Sequence, residues 1–106
     1  MTKNDHKKTR WDLVPWDALN EVVEVLTFGA EKYGEDNWRT LPDYRRRYFS
    51  AAMRHMISWW WTTPTDPESG KSHLAHAICN LLFLLHRSTP PDRSYKPAPS
   101  QDPADE

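Results

Sequence analysis

Two histidines and an asparagine recur at helical spacing in the last apolar segment of the chain. His73, His76 and Asn80 occupy positions i, i+3 and i+7, which places them within about 60° of arc on one face of an α-helix. A buried polar group without a partner costs roughly 1–3 kcal/mol, so three of them on an apolar helix need a common explanation. A metal or ligand site supplies one. A satisfied hydrogen-bond network, or a helix edge that reaches solvent, is the alternative.

Two carboxylates precede this segment in a loop that is rich in proline and glycine. Asp66 and Glu68 lie just before Gly70, and the loop could fold them back toward the histidines. Carboxylates bind hard divalent cations, and imidazole admits Mn, Co or Zn. The alternative is a surface turn in which Glu68 and Ser69 cap the following helix.

A third group of chemically capable residues lies in the preceding helical segment. His55 could complete a three-histidine site, although a satisfied core histidine would look the same. The planar guanidinium of Arg54 suits bidentate contact with a phosphate. The alternative is that Arg54 is a solvated surface charge.

Residues of the types that bind nucleotides lie close together around one predicted helix end. Aromatic rings stack on bases, asparagine reads base edges, and cationic side chains hold phosphates. Aromatic residues that pack beneath a loop would give a similar composition. The residues are Lys32, Tyr33, Asn37, Trp38 and Arg39.

Composition restricts the class of protein. The 106 residues fit one domain, and a net charge of −1 gives no general attraction to nucleic acid or acidic membranes. There is one cysteine, Cys79, which we expect to be buried. The sequence shows no signal peptide and no apolar run of the roughly 18 residues that a membrane span needs. We therefore expect a cytoplasmic protein without a membrane or nucleic-acid partner.

The elements that must position these residues are three helices, which predict an all-α fold with long loops. We expect helices over 15–33, from 42 or 43 to 61, and over 72–87, with a loop over 35–41. The last helix is apolar nearly all round, which indicates packing against the other helices and a second subunit. Residues 1–9 (basic) and 88–106 (Pro-rich and acidic) are predicted to be disordered on either side of a 10–87 domain.

Three adjacent tryptophans end the second predicted helix. Trp59, Trp60 and Trp61 cannot all point inward, because successive side chains on a helix diverge by about 100°. At least one of them should face a partner, a ligand or solvent.

The motifs occur in an order that is similar to a known family. Arg10-x-Asp12-Leu13-x-Pro15 is followed by Gly29-Ala30-x-Lys32-Tyr33-Gly34-x-x-Asn37-Trp38-Arg39, then Arg54-His55, then Asp66-x-Glu68-Ser69-Gly70-x-x-His73-Leu74-Ala75-His76-Ala77-x-x-Asn80. Over residues 10–87 the chain resembles the phage dATP/dGTP diphosphohydrolase N-terminal-type family, relatives of the all-α, MazG-like nucleotide pyrophosphatases. The resemblance implies a helical bundle completed by oligomerisation.

The resemblance also implies a reaction, the hydrolysis of a purine deoxynucleoside triphosphate to monophosphate and pyrophosphate with a divalent cation (Mg, Mn, Co or Zn). If a phage encodes the chain, the reaction is expected in the host cytoplasm. MazG-type enzymes hold Mg²⁺ with carboxylates in EExxE and ExxD motifs. The matching positions here are Arg54-His55-x-x-Ser58 and His73-x-x-His76. The carboxylates are therefore missing at both places, and on the last helix imidazoles stand where the relatives carry them.

The resulting hypothesis assigns a role to each residue, and two alternatives stay open. The metal ligands are His55, His73, His76 and Glu68 (or Asp66), and the spare carboxylate of the Asp66 and Glu68 pair is the general base. The nucleotide-binding residues are Lys32, Tyr33, Asn37, Trp38, Arg39, Arg54 and Asn80. The first alternative is a non-catalytic phage protein that binds or sequesters a nucleotide. The second is a helical interaction module.

Overall fold

Four α-helices make up most of the chain in the computed structural model, which describes residues 7–88. Between these limits there is no strand, only one isolated bridge between Thr65 and Ser72. The all-α prediction is confirmed. After a 3-10 turn at Trp11–Leu13, the helices are α1 (Trp16–Tyr33), α2 (Asn37–Thr40), α3 (Tyr44–Trp61) and α4 (His73–Arg87).

The three predicted long helices agree with α1, α3 and α4 to within two residues at each end. The loop predicted over 35–41 was wrong in its middle, where Asn37–Thr40 forms the short helix α2. Gly34 allows the chain to turn there, because its φ of 97° lies in the region that favours glycine. The disorder predicted for 1–9 and 88–106 falls outside the described residues, except at 7–9 and Ser88.

The core forms where α4 packs between α1 and α3. Val22 and Val25 of α1 meet Ala75 and Cys79 of α4, and all four side chains are buried. The small side chains of α4 allow the two helix backbones to approach closely. Burial of Cys79 agrees with the sequence prediction and raises the pKa of its thiol to about 12.

The outer face of α4 departs from the sequence expectation. We expected a helix that is buried on most sides, yet Ile78, Leu81, Leu82 and Leu85 are exposed in the single chain. Burial of these side chains would require contacts beyond the described residues of one chain. Over those residues, the structure also contains no helix that is both long and apolar enough to cross a membrane.

The start of α4 is fixed to α1 by side-chain contacts. Ser72 caps the helix, because its side chain accepts a hydrogen bond from the backbone N–H of Leu74 at 3.0 Å. The carboxylate of Glu21 accepts from the N–H of Ser72 at 3.0 Å, and Glu24 pairs with Lys71 at 2.7 Å. These contacts hold the loop before α4 in place, and that loop carries Asp66 and Glu68.

The short helix α2 is held by both long helices that follow it. The backbone carbonyl of Trp38 accepts hydrogen bonds from the Tyr48 hydroxyl at 3.0 Å and from the Arg87 guanidinium at 3.2 Å. Asp43 occupies the N-terminal cap position of α3, but its side chain pairs with Arg46 rather than with a backbone N–H. The two hydrogen bonds to Trp38 fix α2 against the ends of α3 and α4.

Candidate functional site

Three potential metal ligands meet where α3, the long loop and α4 come together. Nδ1 of His55 lies 2.8 Å from Nδ1 of His73 and 3.9 Å from Oδ2 of Asp66. One ligand atom from each of the three residues lies within 4.8 Å of the others. His73 is buried, while His55 and Asp66 are half-buried. We call these three residues the His–Asp cluster; two imidazoles and one carboxylate form a donor set that could hold a metal ion.

The loop between α3 and α4 determines which way Asp66 points. The N–H of Asp66 donates to the carbonyl of Lys71 and the N–H of Gly70 donates to the carbonyl of Asp66, both at 2.8 Å. Oδ1 of Asp66 accepts from the backbone N–H groups of Glu68 at 2.7 Å and Ser69 at 3.3 Å. These bonds form an Asx turn, and they leave Oδ2 as the oxygen that faces His55.

The same hydrogen bonds keep the Asp66 carboxyl in its charged form. Partial burial acts to raise its pKa, but the backbone N–H donors of Glu68 and Ser69, followed by the nearby histidines His76 and His55, outweigh that effect and lower the pKa overall. Asp66 therefore supplies a negative charge beside the two imidazoles, which is the form in which a carboxylate binds a cation.

His76 lies beside the His–Asp cluster but is engaged by another partner. Its ring stacks on that of His55, with 4.6 Å between centroids and 15° between planes. Nε2 of His76 lies 2.6 Å from Oγ of Ser69. His76 was predicted as a third metal ligand, and the group of ligand atoms that lie within 4.8 Å of one another does not include it.

Burial and neighbouring rings lower the pKa values of two of these imidazoles. For His55, burial is the largest cause, and its neighbours His76 and His73 add to the effect. For His76, burial again comes first and is partly opposed by Asp66. Both shifts favour the neutral imidazole near pH 7, because desolvation penalises the charged form.

A broad cleft of about 1470 Å³ opens beside the cluster, between the C-terminal half of α1, the short helix α2, and helices α3 and α4. Most of the residues predicted from the sequence line it. His73 and Arg39 do not, since His73 is buried next to His55 and Arg39 lies outside the lining. The predicted residues that line the cleft are Lys32, Tyr33, Asn37, Trp38, Arg54, His55, Asp66, Glu68, His76 and Asn80.

The wall of the cleft carries an ion pair between Lys32 and Glu68. The hydrogen bond to Glu68, with a smaller effect from Tyr33, raises the pKa of Lys32. Nζ of Lys32 also lies 5.0 Å from the centre of the Tyr33 ring. The predicted phosphate-binding lysine and the predicted ligand or base Glu68 therefore contact each other, and Asp66 rather than Glu68 approaches the histidines.

Two of the predicted nucleotide-binding residues also support the walls of the cleft. Trp38 stacks on Phe83 with 4.8 Å between ring centroids, and the Arg39 guanidinium lies 4.4 Å from the centre of the Trp38 ring. Arg39 also pairs with Asp36 at 3.1 Å. The alternative proposed for this segment, aromatic residues that pack beneath a loop, therefore describes part of what Trp38 does.

Three further residues complete the surroundings of His76: Asn80, Phe28, which the sequence did not single out, and Ser69, which it offered only as a helix cap. The Asn80 amide donates to the backbone carbonyl of His76 at 2.9 Å. The Phe28 ring meets the His76 ring edge-on at 6.5 Å, and Ser69 binds Nε2. Ser69 belongs to the quoted motif, but its contact with His76 depends on the path of the loop, for which no spacing rule exists.

Comparisons with known proteins agree with the resemblance. Residues 1–92 match the family described as dATP/dGTP diphosphohydrolase, N-terminal. A protein of Salmonella phage PMBT28 named dATP/dGTP diphosphohydrolase is 33% identical over 100 residues, which cover 91% of this chain and 34% of that protein. The chain thus spans about a third of the length of this relative. No solved structure matches this chain. The chain belongs to the dATP/dGTP diphosphohydrolase N-terminal family.

Proposed function

We propose that this chain hydrolyses a purine deoxynucleoside triphosphate to the monophosphate and pyrophosphate, with the help of a divalent cation. The observation that carries the proposal is the His–Asp cluster beside a cleft that also presents cationic and aromatic side chains. The family and the name of the phage relative support the reaction class. The phage origin of that relative also supports a place in the host cytoplasm.

The geometry of the His–Asp cluster fits a single cation. Two nitrogen atoms that each bind one cation at about 2.0–2.1 Å are about 3 Å apart, and the two Nδ1 atoms of His55 and His73 are separated by 2.8 Å. Imidazole ligands favour Mn, Co or Zn over Mg, which prefers an all-oxygen shell. We therefore propose a transition-metal dication held by His55, His73 and Asp66. Its contribution is to neutralise charge on phosphate oxygens.

The cleft side chains provide contacts for each part of a nucleotide. Lys32 and Arg54 line the cleft with positive charge, and the Tyr33 ring is 61% exposed beside Lys32. A triphosphate would compete with Glu68 for Lys32, because both are anionic. A base would stack on Tyr33, or on Trp38, whose ring Phe83 already orients. Asn37, which also lines the cleft, would read a base edge.

The remaining polar groups would move and hold protons. In this reaction one water adds across the α–β phosphoanhydride, that bond breaks, and pyrophosphate leaves. With Asp66 in the His–Asp cluster, Glu68 is the carboxylate left to take the proton from the attacking water. Because Nε2 of His76 binds Ser69, His76 would serve as a hydrogen-bond donor to the substrate rather than as a metal ligand.

A second candidate function is nucleotide binding without hydrolysis. It is favoured by the Lys32–Glu68 ion pair, which occupies the carboxylate that catalysis would need. The absence of carboxylates from two motifs also favours it, since MazG-type relatives carry carboxylates at the positions of Arg54-His55-x-x-Ser58 and His73-x-x-His76. Such a protein would sequester its nucleotide and release it unchanged.

Product analysis separates the two functions. The protein is incubated with dATP, dGTP, other nucleoside triphosphates and cyclic nucleotides, each with Mn²⁺, Co²⁺, Zn²⁺ or Mg²⁺, and phosphorus NMR follows the products. Pyrophosphate with monophosphate supports the hydrolase. Tight binding with recovery of intact nucleotide supports the binder and contradicts hydrolysis.

The Glu68→Gln variant tests the role of Glu68 with a matched control. If Glu68 is the general base, kcat falls by about 10²-fold or more, while nucleotide affinity rises because Lys32 loses its competing partner. Lys32→Ala is the control: it should weaken nucleotide binding without a comparable loss in kcat. An unchanged kcat in Glu68→Gln would show that Glu68 is not the general base.

A further inference from the structure

One face of α3 presents two arginines to the cleft. Arg47 and Arg54 are seven positions apart, which places them about two turns and roughly 10 Å apart along the helix and within about 20° of arc. Both are exposed and both line the cleft, as do Ser50 and Ala51 between them. Because Ser50 and Ala51 are small, they leave room for a ligand between the two guanidinium groups.

These two arginines differ from most other arginines of the chain in having no protein partner. In the described part of the chain, neither Arg47 nor Arg54 forms a side-chain hydrogen bond or an ion pair, and the Ser50 hydroxyl also forms no hydrogen bond. A charged donor that is unpaired on the wall of a cleft is available to an anionic ligand. The arginines that have partners are Arg10 with Asp12, Arg39 with Asp36, Arg46 with Asp43, and Arg87 with the carbonyls of Trp38 and Leu41.

The position of the two arginines relative to the His–Asp cluster indicates which anion fits. Arg54 directly precedes His55 of the cluster, whereas Arg47 lies two turns closer to the start of α3. A row of phosphates that begins at the proposed cation and follows α3 would therefore meet Arg54 first and Arg47 second. Each guanidinium can form two parallel hydrogen bonds with one phosphate, so the pair suits two successive phosphates.

We propose that Arg54 and Arg47 bind the β- and γ-phosphates of the nucleoside triphosphate, with the α-phosphate at the His–Asp cluster. This assignment rests on the proposed function, and it makes the two arginines the contacts of the leaving group. When the water oxygen bonds to the α-phosphorus, the bond from that phosphorus to the bridging oxygen breaks and its electron pair stays on pyrophosphate. One proton of the water passes to Glu68. The two guanidinium groups stabilise the charge that develops on pyrophosphate.

The same contacts would select nucleotides by the number of their phosphates. A nucleoside diphosphate with its α-phosphate at the His–Asp cluster reaches Arg54 but leaves Arg47 without a partner. A triphosphate therefore makes one more charge-assisted contact than a diphosphate. Arg47 is thus the residue that distinguishes the two substrate classes.

Calorimetric titration with pyrophosphate tests the site without any turnover. The full chain is titrated in EDTA, so that no cation contributes, with pyrophosphate and separately with inorganic phosphate. Pyrophosphate should bind more tightly than phosphate, and Arg47→Ala should weaken pyrophosphate binding by about tenfold or more. Arg47→Lys should recover only part of this loss, because an ammonium group lacks the planar fork.

Arg45→Ala is the matched control. It removes the same charge from an exposed position of α3 that does not line the cleft, so it should change the pyrophosphate affinity by no more than about twofold. Circular dichroism verifies that all three variants keep their helices. Two results would overturn the site: pyrophosphate that does not bind, or equal losses of affinity in Arg47→Ala and Arg45→Ala.

Kinetics with dATP or dGTP and a divalent cation test the assignment of Arg47 to the γ-phosphate. Arg47→Ala should lower kcat/KM by about tenfold or more, whereas the inhibition constant of the corresponding diphosphate should stay nearly unchanged. Equal losses for triphosphate and diphosphate would contradict the assignment. If pyrophosphate binding depends on Arg47 but no nucleotide is hydrolysed, the proposed function fails and the anion site stands as part of a nucleotide-binding protein.

Discussion

Ser69 and His76 are joined by a hydrogen bond of 2.6 Å between Oγ and Nε2. The same Oγ accepts from the backbone N–H of Lys71 at 3.1 Å, and its hydroxyl proton can be donated to Nε2. A ring nitrogen that accepts a hydrogen bond places the ring proton on the other nitrogen. If the Ser69 hydroxyl is the donor in this hydrogen bond, His76 carries its ring proton on Nδ1, which is the arrangement we predict; within residues 7–88 no protein group hydrogen-bonds that atom. His76 lines the cleft, so Nδ1 is the atom available to a ligand.

The Ser69→Ala variant should change the protonation pattern of the His76 ring. Without the hydroxyl, Nε2 loses its donor, and the neutral ring should shift toward the form with its proton on Nε2. Nitrogen NMR of the imidazole groups measures this directly and does not depend on any enzymatic activity. Ser88→Ala, which removes a hydroxyl at the opposite end of α4, is the control. An unchanged Nε2 signal in Ser69→Ala would mean that Ser69 does not determine which nitrogen of the His76 ring carries the proton.

Asp66 and Glu68 should differ in their effect on metal binding, although only two positions separate them. Asp66→Asn keeps an oxygen for the Asx turn but replaces the oxygen that faces His55, so we expect the affinity for Mn²⁺ or Co²⁺ to fall by at least about tenfold. Glu68→Gln should change the metal affinity by no more than about twofold, since Glu68 pairs with Lys32 rather than with the His–Asp cluster. Calorimetric titration measures both affinities. Equal losses in the two variants would argue against the His–Asp cluster as the site.

Alkaline pH should destabilise the protein through Cys79. Burial raises the pKa of its thiol from 9.0 to about 12 in the folded chain, so the unfolded state loses its proton first. The corresponding stability is fully present below about pH 9 and is lost as the pH rises toward 12. Near pH 10 the expected loss is about 1 kcal/mol.

Urea unfolding at pH 8 and pH 10 measures this loss. Cys79→Ala is the reference, because its other groups titrate in the same way. If both proteins lose the same stability between the two pH values, the thiol is not the cause.

Loss of the α4 cap should lower stability. Ser72→Ala removes the side-chain acceptor for the N–H of Leu74, which is expected to cost about 1 kcal/mol. The backbone bond from Ser72 to Glu21 remains, so the loop should keep its attachment to α1. Ser72→Asp, which can cap in the same way, should recover most of the loss in urea unfolding. A full loss in Ser72→Asp would mean that capping is not what Ser72 contributes.

Helical periodicity predicted the three long helices and the shared face of His73 and His76, because both depend only on spacing within one segment. It could not predict which neighbour each histidine would meet. That depends on how α3 lies against α4, and this alignment places His55 between the two: Nδ1 to Nδ1 with His73, and ring on ring with His76.

Two other features could not be predicted from the sequence, for physical reasons. The helix α2 has only four residues, which is about one turn and too short for any apolar period; packing of Trp38 on Phe83 orders it. The choice between Asp66 and Glu68 depends on an Asx turn that directs one carboxylate inward and leaves the other on Lys32. Such a choice is made by backbone torsions in the loop.

The His–Asp cluster is also local in the chain, since His55 and His73 are only 18 positions apart and Asp66 lies between them. The entropy of closing so short a loop is modest, because it grows only with the logarithm of loop length. The hairpin of α3 and α4 thus supplies every residue of the proposed cation site, whereas α1 holds the loop through Glu21 and Glu24 and contributes Lys32 and Tyr33 to the cleft wall. Substitutions at Tyr33 should therefore change the preferred nucleotide and leave the affinity for the cation unchanged.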